Sequence, residues 1–211
     1  MDWTFFIDIA GTVIGLIYLW LEYRASIWLW LFSIIMPIVN AWLYFERGLY
    51  ADFGMESYYV VAAIYGFIIW RIKGKKASEQ ADASQGIRHA SLATLGKVAA
   101  VIAVIWAVIY WFLANHTDST VPLLDSFTTA VSIVAMWALA QKYVEQWLLW
   151  FAVDIVCTGL YFYKGIPFHA TLYGFYTIMA IIGYRKWHRI SVRSLMSRGA
   201  ATTPSCDSQV I

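Results

Sequence analysis

Seven stretches of this chain are long and apolar enough to cross a lipid bilayer, and that property restricts it to a helical membrane bundle. A spanning helix needs roughly 17–25 mostly apolar residues. The stretches at 5–23, 26–45, 55–71, 96–114, 121–141, 145–163 and 168–187 meet that requirement. Composition agrees: of 211 residues, 61% are hydrophobic and only 13% charged, where an ordinary soluble domain carries about 25% charge. The fold class expected is all-α integral membrane, with no room for a second soluble domain. No Lys or Arg precedes the first apolar run in MDWTFFIDIA, so the first helix reads as a retained span rather than a cleaved signal. Cys157 lies in an apolar run and Cys206 in a polar tail, and two such residues make neither a disulfide framework nor a zinc site. No resident cofactor or metal and no nucleic-acid partner is expected.

Charge orients the thread. All basic residues except Arg47 and Lys164 fall on one side of a seven-helix path. The positive-inside rule makes that side cytoplasmic, with the N-terminus outside and the C-terminus inside. The segment 73–95 reads as a polar cytoplasmic loop and 188–211 as a cytoplasmic tail. Seven tryptophans, Trp20, Trp28, Trp30, Trp70, Trp137, Trp147 and Trp187, fall near the cytoplasmic helix ends, where an interfacial belt would place them.

The chain also repeats itself. An ungapped shift of 117 positions superposes Trp20 on Trp137, Trp30 on Trp147, Gly48 on Gly165, Tyr59 on Tyr176, Gly66 on Gly183 and Trp70 on Trp187. Trp and Gly are too informative to coincide so often through apolar bias. The repeat divides the chain into a first three-helix unit at 1–72, a linking helix at 96–115 and a second three-helix unit at 116–187. Three helices are an odd number, so the linking helix returns the second unit to the orientation of the first. Parallel repeats of this kind are a transporter plan, with the binding site expected between the units near mid-membrane.

The stretch from Trp20 to Trp70, and EQWLLWFAVDIVCTGLYFYKG with YGFYTIMAIIGYRKW in the second half, resemble the nicotinamide riboside transporter (PnuC) family. The resemblance covers both three-helix units and fades in the linking helix, the polar loop and the tail. It implies a SWEET-like 3+1+3 fold and facilitated uptake of nicotinamide riboside, thiamine or riboflavin. It also implies a functional link to a cytoplasmic kinase that traps the vitamin by phosphorylation. A homo-oligomer is compatible with the sequence.

Departures from the repeat point to the substrate, because a ligand without two-fold symmetry asks different side chains of the two halves. Ser33 faces Trp150, Pro37 faces Asp154, Asn40 faces Cys157 and Glu56 faces Tyr173 across the alignment. Asp154 is the strongest of these. A carboxylate at a helix centre costs roughly 2.5–3.5 kcal/mol to insert, so it should face the bundle interior, where it suits a cationic ligand or a structural hydrogen bond. Trp147, Trp150 and Asp154 are spaced i, i+3, i+7 and share a helical face, on which a flat cationic ring can stack. Trp147 fits the interfacial belt equally well. Ser33, Pro37, Asn40 and Tyr44 form a face of helix 2, where Pro37 should free a backbone carbonyl and Asn40 is placed to bond either a ligand or a neighbouring helix. Glu56, with Tyr59 one turn on, is a ligand contact or a carboxylate favouring its helix dipole. Asp8 reads as interfacial, and Gly11 with Gly15 as a packing GxxxG.

The substrate expected is a small, flat, cationic vitamin: nicotinamide riboside first, thiamine next, neutral riboflavin less suited to the carboxylates. Two other classes fail. A retinal pigment needs a lysine midway along helix 7, and Thr171 to Tyr184 has none. An intramembrane enzyme would need paired aspartates, HExxH or GxSxG, which the helices lack, and His169 lies near the outer end of helix 7; ATP-driven transport would need a Walker A loop, which is also missing.

Overall fold

The computed structural model describes residues 3–46, 50–79, 86–117, 120–163, 165 and 167–201. For some helical residues, Asp8, Asn40, Tyr44 and His169 among them, it describes the backbone alone. Among the described residues the protein is all-α: seven helices, α1 (Trp3–Tyr23), α2 (Leu29–Glu46), α3 (Tyr50–Glu79), α4 (Leu92–His116), α5 (Pro122–Ala140), α6 (Gln146–Tyr163) and α7 (Pro167–Ala201). By length and composition α4, α5, α6 and the Phe53–Gly74 part of α3 each suffice to span a bilayer among the described residues.

Five of the helices begin and end within a few residues of the apolar stretches. The other two do not. α3 continues to Glu79 and α7 to Ala201, so part of the expected loop and most of the expected tail are helical. Hydropathy reports where lipid ends, whereas a helix ends where its backbone is broken. The Lys, Ala, Ser and Glu residues after Trp70 are tolerated in helices, and Gly74 alone does not terminate one. Along α7 the buried residues Ala180, Gly183, Trp187, Ser191 and Ser194 recur at steps of three and four, so the helix keeps a packed face beyond its apolar part.

The chain forms two compact units, Met1–Lys73 and Gly74–Ile211. In the first, α1 turns into α2 through a Schellman motif. Ala25 is left-handed at φ 52°, its N–H donates to the Glu22 carbonyl at 2.9 Å, and Ser26 N–H donates to the Leu21 carbonyl at 2.9 Å. That arrangement satisfies two carbonyls the helix end would otherwise leave open. The turn brings fully buried Trp30 of α2 against Gly66 of α3, where an added Cβ would collide with the indole. Trp30 meets Trp70 edge-on at 5.6 Å and 83°.

The second unit repeats each of these features 117 positions later. Lys142 is left-handed at φ 57°, with Lys142 N–H on the Leu139 carbonyl at 2.9 Å and Tyr143 N–H on the Ala138 carbonyl at 3.0 Å. Trp147 lies on Gly183, whose added Cβ would stand 2.6 Å from the indole, and meets Trp187 edge-on at 5.8 Å and 87°. The duplication seen in the sequence is therefore also a duplication of turn and packing geometry.

In the same unit α4 packs along α5, and none of its residues is buried. Ser91 caps it by accepting from Thr94 N–H at 3.2 Å. Trp106 anchors it, its indole N–H shared between the Leu123 carbonyl at 3.2 Å and Ser126 Oγ at 3.1 Å. The residues before α4 are tied to the α5–α6 turn: Arg88 N–H donates to the Lys142 carbonyl at 3.1 Å, and Val144 N–H returns to the Arg88 carbonyl at 3.0 Å. Glu145 strengthens the tie, accepting from His89 Nδ1 at 2.7 Å and from Ala90 N–H at 2.9 Å. His188 Nδ1 of α7 stands 3.0 Å from His89 Nε2.

Candidate functional site

The seven tryptophans grouped by sequence as one belt divide into two populations. Trp20, Trp28 and Trp137 are exposed, as an interfacial residue should be, and Arg24 lies over the Trp20 ring at 4.9 Å. Trp30, Trp70, Trp147 and Trp187 are at most 2% exposed and form the matched wedges that lock α2 to α3 and α6 to α7. Hydropathy cannot separate the two, because an indole at a helix end suits headgroups and protein interior alike.

The face of α6 carries the densest set of candidate residues. Asp154 is 6% exposed and lies within electrostatic reach of the phenols of Tyr173 and Tyr176 on α7. Its own carbonyl accepts from Thr158 Oγ1 at 2.7 Å. Tyr173 stacks on Tyr161 at 5.2 Å and 24° and meets Tyr176 edge-on at 5.7 Å. The carboxylate thus faces a row of phenols between α6 and α7. Trp150 is half-buried, and its indole N–H has no hydrogen-bond partner. Trp147 shares that face but packs beneath it, on Gly183 and Trp187.

In the first unit Ser33 is buried. Its hydroxyl donates to the Leu29 carbonyl at 3.0 Å, and Tyr18 also bonds to it, so Ser33 has partners within its own unit. Pro37 lies inside α2 without ending it. The Asn40 and Tyr44 side chains lie outside the described residues, as does that of Asp8. Glu56 is half-buried on α3, near Tyr59, which meets Tyr58 edge-on at 5.6 Å.

Sequence reasoning missed the phenol row and it missed Gln146. The repeat set Tyr173 against Glu56 and Tyr176 against Tyr59, but nothing in it joined them with Tyr161 into a row, because which helix α6 packs against is a tertiary fact. Gln146 had a signal that went unread: in the repeat it opposes Leu29, a polar side chain against an apolar one. No group of three or more His, Cys, Asp or Glu able to hold a metal ion occurs among the described residues.

The sequence from residue 5 to residue 189 matches the family model described as nicotinamide mononucleotide transporter. The chain belongs to this family. It is 32% identical to the riboflavin/roseoflavin transporter RibM of Streptomyces davaonensis over 85% of this chain and 83% of that protein. It is 24% identical to the nicotinamide riboside transporter PnuC of Escherichia coli over 92% of this chain and 88% of that protein. The crystal structure of the vitamin B3 transporter PnuC superposes with a TM-score of 0.64 at 25% identity, covering 87% of this chain and 80% of that one. This member of the nicotinamide mononucleotide transporter family is accordingly a multi-pass membrane transporter. The relatives' names speak for nicotinamide riboside and for riboflavin and give thiamine no support.

Proposed function

We propose that this transporter carries nicotinamide riboside inward by facilitated diffusion across a bacterial inner membrane, with its N-terminus outside and its C-terminus in the cytoplasm. Asp154 carries the reading. A carboxylate held 6% exposed halfway along a spanning helix is expensive unless it is used, and a flat pyridinium uses it. Trp150 presents its ring on the same face for stacking, with a cation–π contribution of about 0.5–2 kcal/mol, and Trp147 supports it from below. Ser33, Asn40, Glu56 and Tyr59 are the contacts assigned to the first unit. A cytoplasmic kinase that phosphorylates the vitamin makes uptake effectively one-way, so no energy source within the chain is needed.

Riboflavin is the second reading, and the 32% identity to RibM favours it. Uptake of radiolabelled nicotinamide riboside and riboflavin into cells lacking their own carriers decides between them. Asp154→Ala should abolish most uptake of the cation while a tagged protein still reaches the membrane. Unchanged cation uptake would remove Asp154 from the site.

A further inference from the structure

Buried indole and carboxamide groups without a hydrogen-bond partner occur in two kinds among the described helical residues, and the repeat separates them. The indole N–H groups of Trp30 and Trp147 are both unpartnered, at equivalent positions, so they belong to the scaffold common to the two units. The Trp150 N–H and both amide atoms of Gln146 are also unpartnered. Their counterparts, Ser33 and Leu29, present no such atoms: Ser33 is bonded and Leu29 is apolar. Gln146 is the sharper case. It is fully buried, as Leu29 is, so the position asks only for an apolar side chain of this size, yet the second unit holds a carboxamide there. An amide withdrawn from water without partners is costly, about 1–3 kcal/mol by mutational measure.

Gln146, Trp150 and Asp154 follow one another at i, i+4, i+8, so they share a face of α6 and are separated by about 6 Å of helix rise at each step. A ring stacked on Trp150 therefore has Gln146 one turn to one side and Asp154 one turn to the other. A carboxamide offers one donor and one acceptor side by side, and its complement is a planar edge bearing a C=O next to an N–H. We infer that Gln146 is a specificity-determining residue that reads an amide or imide edge on the transported ring, with the Trp150 N–H supplying a further donor. The inference rests on the proposed transport of a flat vitamin. Both vitamins named above carry such an edge, as the carboxamide of nicotinamide riboside and the imide of riboflavin.

The test measures binding to the purified full-length protein of each vitamin and of a partner compound whose edge has lost its N–H: 3-acetylpyridine riboside and N3-methylriboflavin. The wild type should bind the parent of the vitamin it carries about 10- to 100-fold more tightly than the blocked analogue, as expected when a buried polar group is left unmatched. Gln146→Leu, which installs the residue of the first unit, should bind parent and analogue alike and melt no lower than the wild type. Equal binding of parent and analogue by the wild type overturns the role of Gln146 and leaves the transport reading intact. Retained discrimination by Gln146→Leu overturns it too. Should the wild type bind neither parent, the transport reading fails and this one with it. The comparison of parent with analogue on the wild type stands even if the variant does not fold.

Discussion

Ala25 and Lys142, 117 positions apart, are the two non-glycine residues with positive φ among the described residues, at 52° and 57°. Each occupies the left-handed position that closes a helix, where glycine is the usual occupant. A side chain there costs roughly 1–2 kcal/mol, and the same cost has been kept in both halves of the chain.

The strain at Ala25 should be removable. Ala25→Gly is expected to stabilise the first unit by roughly 0.5–1 kcal/mol, the relief of the left-handed strain less the added freedom of the unfolded chain. Thermal unfolding in detergent measures it. A fall in the melting temperature would mean that the Ala25 methyl packs better than its backbone suggests.

Gly66 and Gly183 allow Trp30 and Trp147 to lie on the backbone of the opposite helix. Gly183→Ala places a methyl against the indole and should cost about 1–3 kcal/mol, and Gly66→Ala should behave alike. Because both indoles are fully enclosed, neither ring has room to move aside. The equivalence of the two wedges fails if one alanine is tolerated and the other is not.

Lys142 lies in the α5–α6 turn, outside the spanning helices, and burial lowers its ammonium to about 8. Unfolded, the lysine keeps its proton up to its ordinary range near 10.5. Between those values the unfolded chain binds more protons than the folded one, so this group makes stability rise as pH rises from about 8 to 10.5, by up to roughly 3 kcal/mol. Below about 8 both states are charged and the penalty of burying the cation is constant. Melting curves of wild type and Lys142→Met should diverge across that alkaline window, with the wild type gaining relative to the variant. Parallel curves would contradict it.

Glu145 joins three segments through His89, Ala90 and, by way of His89, His188. Glu145→Ala leaves the Ala90 N–H and the His89 ring without that acceptor and should cost about 1 kcal/mol, since the group is partly exposed. Hydrogen exchange at Ala90 should accelerate while amides in the middle of α6 keep their protection. Unchanged exchange at Ala90 would show that the backbone pairing of Arg88 with Lys142 and Val144 holds the segment unaided.

The repeat was legible in the sequence because tryptophan and glycine are rare enough to register when shifted onto one another. The turns that join its helices were not. Each lacks the glycine that marks a left-handed helix end, so Ala25 and Lys142 passed as ordinary residues until their backbone angles were seen. Asp154 announced itself, since a carboxylate amid Phe151, Val153 and Ile155 has few bland explanations. Gln146 did not, because at the edge of an apolar run a glutamine reads as solvated. Its complete burial gave its departure from Leu29 in the repeat a meaning.

What the chain alone determined was its all-helical nature, its membrane setting and its duplication, all of which follow from composition and spacing along one dimension. The tertiary structure decided which tryptophans serve as wedges and which as surface, that the Asp154 carboxylate looks onto the phenols of α7, and where two of the helices stop. The reason is that burial and partnership belong to pairs of helices, and no single helix encodes the face its neighbour will cover.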